Sequence, residues 1–361
     1  MIYLDYQATT PLAPEAREAM LAWLGGPESD SFGNPHSPHR MGRMAAAAVE
    51  VAREQVAALF PPGGRVIFTG SATEALNLAI RGNMPVRSGE HIAFSAIEHA
   101  AVIDTVKAIG NWTEIGVTPE GLVVPDTKMP PYAGLLAVMQ VNNEIGTIQP
   151  IADMARRAKE LGALLLVDGV QGAGKMALPP EADMIAVSAH KLHGPKGIGA
   201  LWVRDGLKLI PHIEGGGQEQ GLRSGTLSPT LCAGFGAAAK LAVERMEEDA
   251  AHVESLWRHA RDAFDGWTLN GSAEQRWHGN LNIRKDGLDV ARLMSECREV
   301  MFSAGSACAS GSGRTSHVLR AIGLDDAQAK SSIRLGFGRY TTKDELERAC
   351  SIILEAADSQ G

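Results

Sequence analysis

Apolar positions in this chain come as short continuous runs rather than in strict alternation. Val66-Ile67-Phe68, Ile92-Ala93-Phe94, Leu135-Leu136-Ala137-Val138-Met139, Ala163-Leu164-Leu165-Leu166-Val167 and Met184-Ile185-Ala186-Val187 each end on a polar or glycine-rich turn. Amphipathic stretches of helical spacing lie between them. Runs that are apolar at every position fit strands buried on both faces, so residues 40–240 predict an α/β architecture. Its centre is a mostly parallel mixed sheet flanked by helices. Ligands of such sheets gather beyond the carboxyl ends of the strands, so chemistry is sought there.

After Leu231 the rhythm changes. A long helical stretch is expected through Ala237 to Met246, then shorter elements such as Asn280-Leu281-Asn282-Ile283 before a helix from Asp289 to Leu293. At 361 residues the chain exceeds the size at which one core stops growing. The expected division is a large domain over residues 12–240 and a smaller α+β domain. Residues 1–11 and 241–361 build the smaller one, which carries a mobile loop at about 303–313.

The formal net charge of −8, without a basic cluster, argues against nucleic acid or an anionic membrane as partner. No apolar run reaches the roughly 18 residues of a membrane span. Met1-Ile2-Tyr3-Leu4-Asp5 lacks the basic start of a leader, so a cytoplasmic protein is expected. The four cysteines, Cys232, Cys297, Cys308 and Cys350, have no metal-ligand spacing, and neither an intrinsic metal site nor a disulfide is expected. Three of them sit in helical or core-like contexts. Cys308 differs, because it lies among the small residues from Ser303 to Gly313, where an exposed loop thiol can travel to a substrate.

Candidate chemistry collects at the strand ends. Lys191 closes Ser188-Ala189-His190-Lys191, directly after an apolar run and before His193-Gly194-Pro195-Lys196-Gly197. An amine against apolar walls loses proton affinity and suits Schiff-base chemistry; a solvated loop lysine is the competing reading. Thr69 to Glu74 precedes a helix expected from Ala75 and offers an anion pocket, or an ordinary helix cap. Asp168 ends a strongly apolar strand with Gln171 three residues on. It either faces a cationic ring nitrogen or caps the next turn. His99 can stack on a cofactor or shuttle a proton, or serve as a structural hydrogen bonder. Asn142 and Asn143 can orient a ligand or make a turn. Arg334 suits a bidentate clamp on a carboxylate, or a structural salt bridge.

Together these signals describe pyridoxal phosphate held by a lysine, an aspartate and a helix start. The chain resembles the cysteine desulfurases of the NifS/IscS type, within the class-V aminotransferase family of fold-type I pyridoxal-phosphate enzymes. The resemblance rests on Tyr3-Leu4-Asp5-Tyr6-Gln7-Ala8-Thr9-Thr10-Pro11, Phe32-Gly33-Asn34-Pro35, Ala72-Thr73-Glu74, Glu98-His99, Asn142-Asn143-Glu144-Ile145-Gly146, Val167-Asp168, Ser188-Ala189-His190-Lys191, Gly194-Pro195-Lys196-Gly197, Arg223-Ser224-Gly225-Thr226 and Gly305-Ser306-Ala307-Cys308. These occur in family order along nearly the whole chain.

The resemblance implies that Lys191 carries the cofactor, Asp168 pairs with its ring nitrogen, Gln171 bonds its phenolic oxygen and His99 stacks on the ring. It implies that Ala72, Thr73, Ser188 and His190 hold the phosphate, with Thr226 arriving from the other subunit of a homodimer. Asn143 would lie beside the cofactor, and Asn34 and Arg334 would bind the substrate carboxylate. The implied reaction takes L-cysteine to L-alanine, with Lys191 as base, His99 as proton carrier and Cys308 receiving the sulfur as a persulfide. An iron–sulfur scaffold is the expected acceptor, to which Cys308 would be a transient ligand. Selenocysteine lyase and aminotransferase are the neighbouring alternatives, and a non-enzymatic sulfur-relay platform the more distant one. Housekeeping members often carry a longer tail for docking a scaffold than the stretch after Leu354-Glu355-Ala356-Ala357 here, which leaves the acceptor open.

Overall fold

The computed structural model describes residues 1–83, 91–130, 133–305 and 315–360. The chain opens with β1 (Ile2–Tyr3), α1 (Pro14–Leu21) and α2 (Arg40–Ala57). A βα alternation follows: β2 (Gly64–Thr69), α3 (Ala72–Asn83), β3 (His91–Ser95), α4 (Ala100–Ile109), β4 (Trp112–Ile115), β5 (Ala133–Met139), α5 (Ile151–Leu161), β6 (Leu164–Asp168), β7 (Met184–Ser188) and β8 (Gly199–Arg204). Next come α6 (Pro229–Glu244), α7 (Met246–Ala263), β9 (Thr268–Leu269), β10 (Asn280–Arg284), α8 (Val290–Glu296), β11 (Val300–Met301) and β12 (Ser303–Ala304). The described chain closes with α9 (His317–Ala321), α10 (Asp326–Lys330), β13 (Ser332–Gly336) and α11 (Lys343–Asp358).

Seven strands form the central sheet in the order β2-β8-β7-β6-β5-β3-β4. Only β8 among them runs antiparallel to its neighbours. The expected parallel α/β sheet is therefore present, and all five apolar runs lie in strands. Burial explains their composition: every residue of β5 and β7 is buried. Helices cover both faces. Val49, Phe68, Trp202 and Phe235 belong to the core on one side, and Leu76, Ile80, Phe94 and Val102 to the core on the other.

A separate core joins Ile2 and Leu4 to Trp257, Phe264, Leu281, Ile333, Leu346 and Ile353. It packs on a four-stranded antiparallel sheet, β12-β13-β10-β9. Two details depart from the sequence reading. The stretch through Ala237 to Met246 is not one helix, because Arg245 (φ −107°, ψ 6°) leaves helical geometry between α6 and α7. Helix α3 begins at Ala72 rather than Ala75. Ser71 Oγ accepts the Glu74 N–H at 3.2 Å, so the cap lies three residues earlier and Ala72 and Thr73 sit in the first turn.

Cys232, Cys297 and Cys350 are buried free thiols. Cys308 lies outside the described residues. Among the described residues no helix is long and apolar enough to cross a membrane, and no His/Cys/Asp/Glu group is placed to hold a metal ion.

Candidate active site

Because β2, β3, β5, β6 and β7 share one direction, their carboxyl ends open onto one cavity of about 380 Å³. Each strand delivers a residue there. Past β2, Ser71, Ala72 and Thr73 line it at the start of α3; past β3, His99; past β5, Asn143; at the end of β6, Asp168, with Gln171 beyond; at the end of β7, Ser188, with His190 and Lys191 beyond. Arg334 of β13 and the segment Gln7-Ala8 close the opposite side. Ten sequence-predicted residues thus meet in one place: Ala72, Thr73, His99, Asn143, Asp168, Gln171, Ser188, His190, Lys191 and Arg334.

Two others do not join them. Asn34 is exposed, and its Oδ1 accepts the His36 N–H at 2.9 Å within a local turn. Thr226 is also exposed and outside the cavity lining. Its segment is fixed near the start of α3, because Arg223 pairs with Glu74 at 2.7 Å.

Lys191 sits in a single 3₁₀ turn that follows β7, and its Nζ donates to the carbonyls of Gln7 and, at 2.7 Å, of Ala8. Close approach of backbone makes this corner possible. A Cβ on Gly199, the first residue of β8, would lie 2.8 Å from the Ala72 nitrogen, so glycine is what lets β8 run beneath the start of α3. Ala72 and Thr73 of that first turn line the cavity, and backbone N–H groups of a helix's first turn have no intrahelical partner.

Asp168 is buried, and its Oδ1 accepts the Val170 N–H at 3.0 Å. Turn capping and a place at the site are therefore both its work. Burial pushes its carboxyl up, while His99, the Val170 N–H and Lys191 hold it back. His99 likewise serves twice. Its Nδ1 accepts the Ala101 N–H at 3.1 Å and caps α4, which leaves the proton on Nε2. His190 packs its Nδ1 at 3.1 Å from Thr9 Oγ1. Burial, then the charges of Lys191, Lys196 and Lys175, push that ring down to about 4, so it is neutral.

Of the two amides after β5, Asn142 is the scaffold: its Oδ1 accepts the Glu144 and Ile145 N–H groups, and its Nδ2 donates to the Ile97 carbonyl. Asn143 faces the cavity, and its carbonyl accepts from Arg334 at 3.0 Å. Arg334 is 1% exposed and pairs with Asp5 at 2.7 Å. The structural salt bridge and the place at the site, set apart in the sequence reading, coexist in one residue.

Several contributors carry no local signal. Gln7 and Ala8 offer backbone carbonyls, which no side-chain pattern reveals; the polar run Tyr6 to Pro11 is their one trace. Thr10 Oγ1 donates to the His190 carbonyl at 3.0 Å and accepts the His193 N–H at 2.8 Å. Glu98 is wholly buried, with Oε1 accepting the Met139 N–H at 2.7 Å. Burial and the Asp168 charge push its carboxyl well above the ordinary range. Lys175 reaches the same region from the turn after β6.

Comparison with known proteins agrees with this geometry. The family model of class-V aminotransferases matches residues 2–349. A curated cysteine desulfurase IscS of Rickettsia bellii is 40% identical, the match covering 98% of this chain and 90% of that one. A solved NifS-like protein superposes with a TM-score of 0.90 at 30% identity, covering 99% of both chains. SspA in complex with cysteine superposes with a TM-score of 0.83 at 34% identity, covering 95% of this chain and 100% of that one. A match that runs through nearly every element, and through each of the strand ends that build the cavity, shows that this chain belongs to the class-V aminotransferase family.

Proposed function

We propose that the chain is a pyridoxal-phosphate-dependent cysteine desulfurase, a homodimer of the cytoplasm that takes L-cysteine to L-alanine and passes the sulfur to Cys308. The observation that carries this reading is the meeting of Lys191, Asp168, His99 and the start of α3 around one cavity. The residues present fit the cofactor. An amine, a buried carboxylate and a helix start with free N–H groups match its aldehyde, its ring nitrogen and its phosphate.

The cofactor, when bound, supplies the electron sink that acidifies the substrate Cα–H and loosens its Cβ–S bond. Lys191 is the amine that holds it and the base that moves the Cα proton. Asp168 would keep a negative charge for the ring nitrogen, Gln171 would donate to the phenolic oxygen, and His99 would pack on the ring and carry a proton at Nε2. Ala72, Thr73, Ser188 and His190 would hold the phosphate. Asn143 and Arg334 would hold the substrate carboxylate, whereas Asn34 lies outside its own chain's cavity and is given no part there. Thr226, exposed in its own chain, completes the cavity of the partner copy.

The Cys308 thiolate attacks the substrate sulfur. An S–S bond forms as the Cβ–S bond breaks, leaving a persulfide on Cys308 and, after protonation of carbon, L-alanine. An iron–sulfur scaffold protein then takes the sulfur, with Cys308 as transient ligand. The test is incubation of the purified protein with L-cysteine, pyridoxal phosphate and a thiol reductant, following alanine and sulfide together. Equal amounts of both are expected. Cys308→Ala is expected to keep the visible cofactor band and lose sulfide release; full turnover in that variant overturns the reading.

A further inference from the structure

Lys175 lies in the turn after β6 and has no part in the chemistry described above. The turn is tightly seated: a Cβ on Gly172 would lie 2.0 Å from Gln140 Oε1, and one on Gly174 (φ +71°) 2.8 Å from the Ala242 Cβ. Lys175 Nζ donates to Gln171 Oε1 at 3.2 Å. At its other end Gln171 donates from Nε2 to the Gln7 carbonyl at 3.1 Å. That same carbonyl accepts from Lys191.

We propose that Lys175 is a positioning residue of the active site, holding the Gln171 amide in register and standing a second cationic amine behind Lys191. The proposal rests on the cofactor reading above and deepens it. An ammonium group only donates and a backbone carbonyl only accepts, so Lys175 and Gln7 together decide which end of the Gln171 amide is oxygen. The second Nε2 hydrogen is then left for the cavity that Gln171 lines. Without Lys175 one of the two constraints is gone, and the amide is held at one end only.

The charge acts on Lys191. Lys175 and Lys191 line one small cavity with Tyr6, His193, Asp249 and Arg339. Among the described residues Asp249 is the only acid lining it, and it is bound to Arg339 at 2.6 Å and to Arg245 at 3.4 Å. His193 and His190 are pushed down to about 4 by burial and nearby cations, and burial pushes the Tyr6 phenol up, so all three are uncharged at neutrality. The two lysines are the cations that remain, with the Asp168 carboxyl at the end of β6 as the negative charge acting on Lys191 from the other side. Burial, and then repulsion from Lys191, bring Lys175 down to about 7. Repulsion is mutual, so a proton on Lys175 eases the loss of one from Lys191, the state in which that amine is a nucleophile.

The experiment uses the holoenzyme and the variants Lys175→Met and Lys175→Arg, titrating the visible absorbance of the bound cofactor against pH. Lys175→Met is expected to raise the titration midpoint by roughly one pH unit and to shift the band, as one neighbouring charge is lost. Its kcat should fall roughly tenfold with KM little changed, because the loss is not in substrate binding. Lys175→Arg, which keeps both charge and donor, should restore the midpoint. If Lys175→Met is insoluble, Lys175→Gln takes its place in the same titration. A midpoint and band equal to wild type, with or without a lower Tm, overturn the proposal and leave Lys175 a packing residue. A wild-type protein that shows no visible band with pyridoxal phosphate overturns the cofactor reading itself.

Discussion

The two walls of the cavity are built by different means. Three residues at the strand ends are held by bonds to near neighbours: Asp168 to the Val170 N–H, His99 to the Ala101 N–H, Ser71 to the Glu74 N–H. The facing wall is held across the chain. Arg334 meets Asp5 329 residues away, Gln7 Nε2 reaches the Gly279 carbonyl 272 residues away, and Lys191 reaches Ala8 across 183. Chemistry is thus placed by turns that form locally, whereas the space around it is set by how the C-terminal core and the N-terminal segment dock on the sheet. Substitutions on the first wall should strike reactivity with little effect on the fold. Those on the second should strike stability and substrate fit together.

The largest effect belongs to Lys191. Lys191→Ala is expected to lower alanine formation by roughly a thousandfold, the scale of a lost general base together with the lost cofactor link. Tm should stay near wild type, since the Gln7 and Ala8 carbonyls that the amine leaves can be rehydrated from the cavity. Borohydride reduction followed by peptide mass spectrometry checks the assignment: the wild-type peptide containing Lys191 gains the cofactor mass and no other lysine does. Covalent cofactor on another lysine, or turnover in the variant, would remove Lys191 from its role.

Asp5→Ala probes the facing wall. It strips the carboxylate from an arginine that is 1% exposed. Leaving a buried cation unpaired costs about 3–5 kcal/mol, and the lower end applies because Asp5 keeps partial access to water. Denaturant unfolding should show that loss with an unchanged m-value. KM for cysteine should also change, while the visible cofactor band persists. A variant as stable as wild type would show that the two walls do not differ in the way described.

The strand ends were legible because apolar runs announce buried strands and the polar residue after each run has few other places to go. The start of α3 was placed three residues late, since Ser71 and Thr73 are both acceptable caps and only the bond from Glu74 to Ser71 decides between them. Direction is invisible in Gly-Ala-Leu-Trp-Val-Arg, so the antiparallel β8 could not be foreseen. The Asp5 partner of Arg334, the buried Glu98 and the bond from Lys175 to Gln171 depend on contacts that no local pattern records. Asn34 and Thr226, named by resemblance, lie outside their own chain's cavity, and Cys308 lies outside the described residues. For Thr226 the resemblance already assigns the other copy of the chain; for Asn34 it names no copy, and the exposed turn that holds it gives no local sign of one.

The smallest effect separates the walls by pH. His193 donates from Nδ1 to the Pro11 carbonyl at 2.9 Å and meets Tyr340 edge-on at 5.0 Å, in the seam between the sheet and the docked N-terminal segment. Burial, aided by Arg339 and Lys175, lowers its ring to about 4 against an ordinary 6.5. The unfolded chain therefore binds a proton there that the folded chain refuses. Stability from this site is full above about pH 6.5 and falls as pH drops toward 4, by roughly 3 kcal/mol at most on reaching the folded-state pKa. His190 adds a smaller share in the same direction, because it is less enclosed. His193→Asn is the variant to use, since the backbone there has φ +68° and asparagine tolerates that region. The slope of Tm against pH between 4 and 6.5 should be shallower in the variant than in wild type. An equal slope would mean that His193 takes up its proton without opening the seam, and that the facing wall yields to acid no more than the strand ends do.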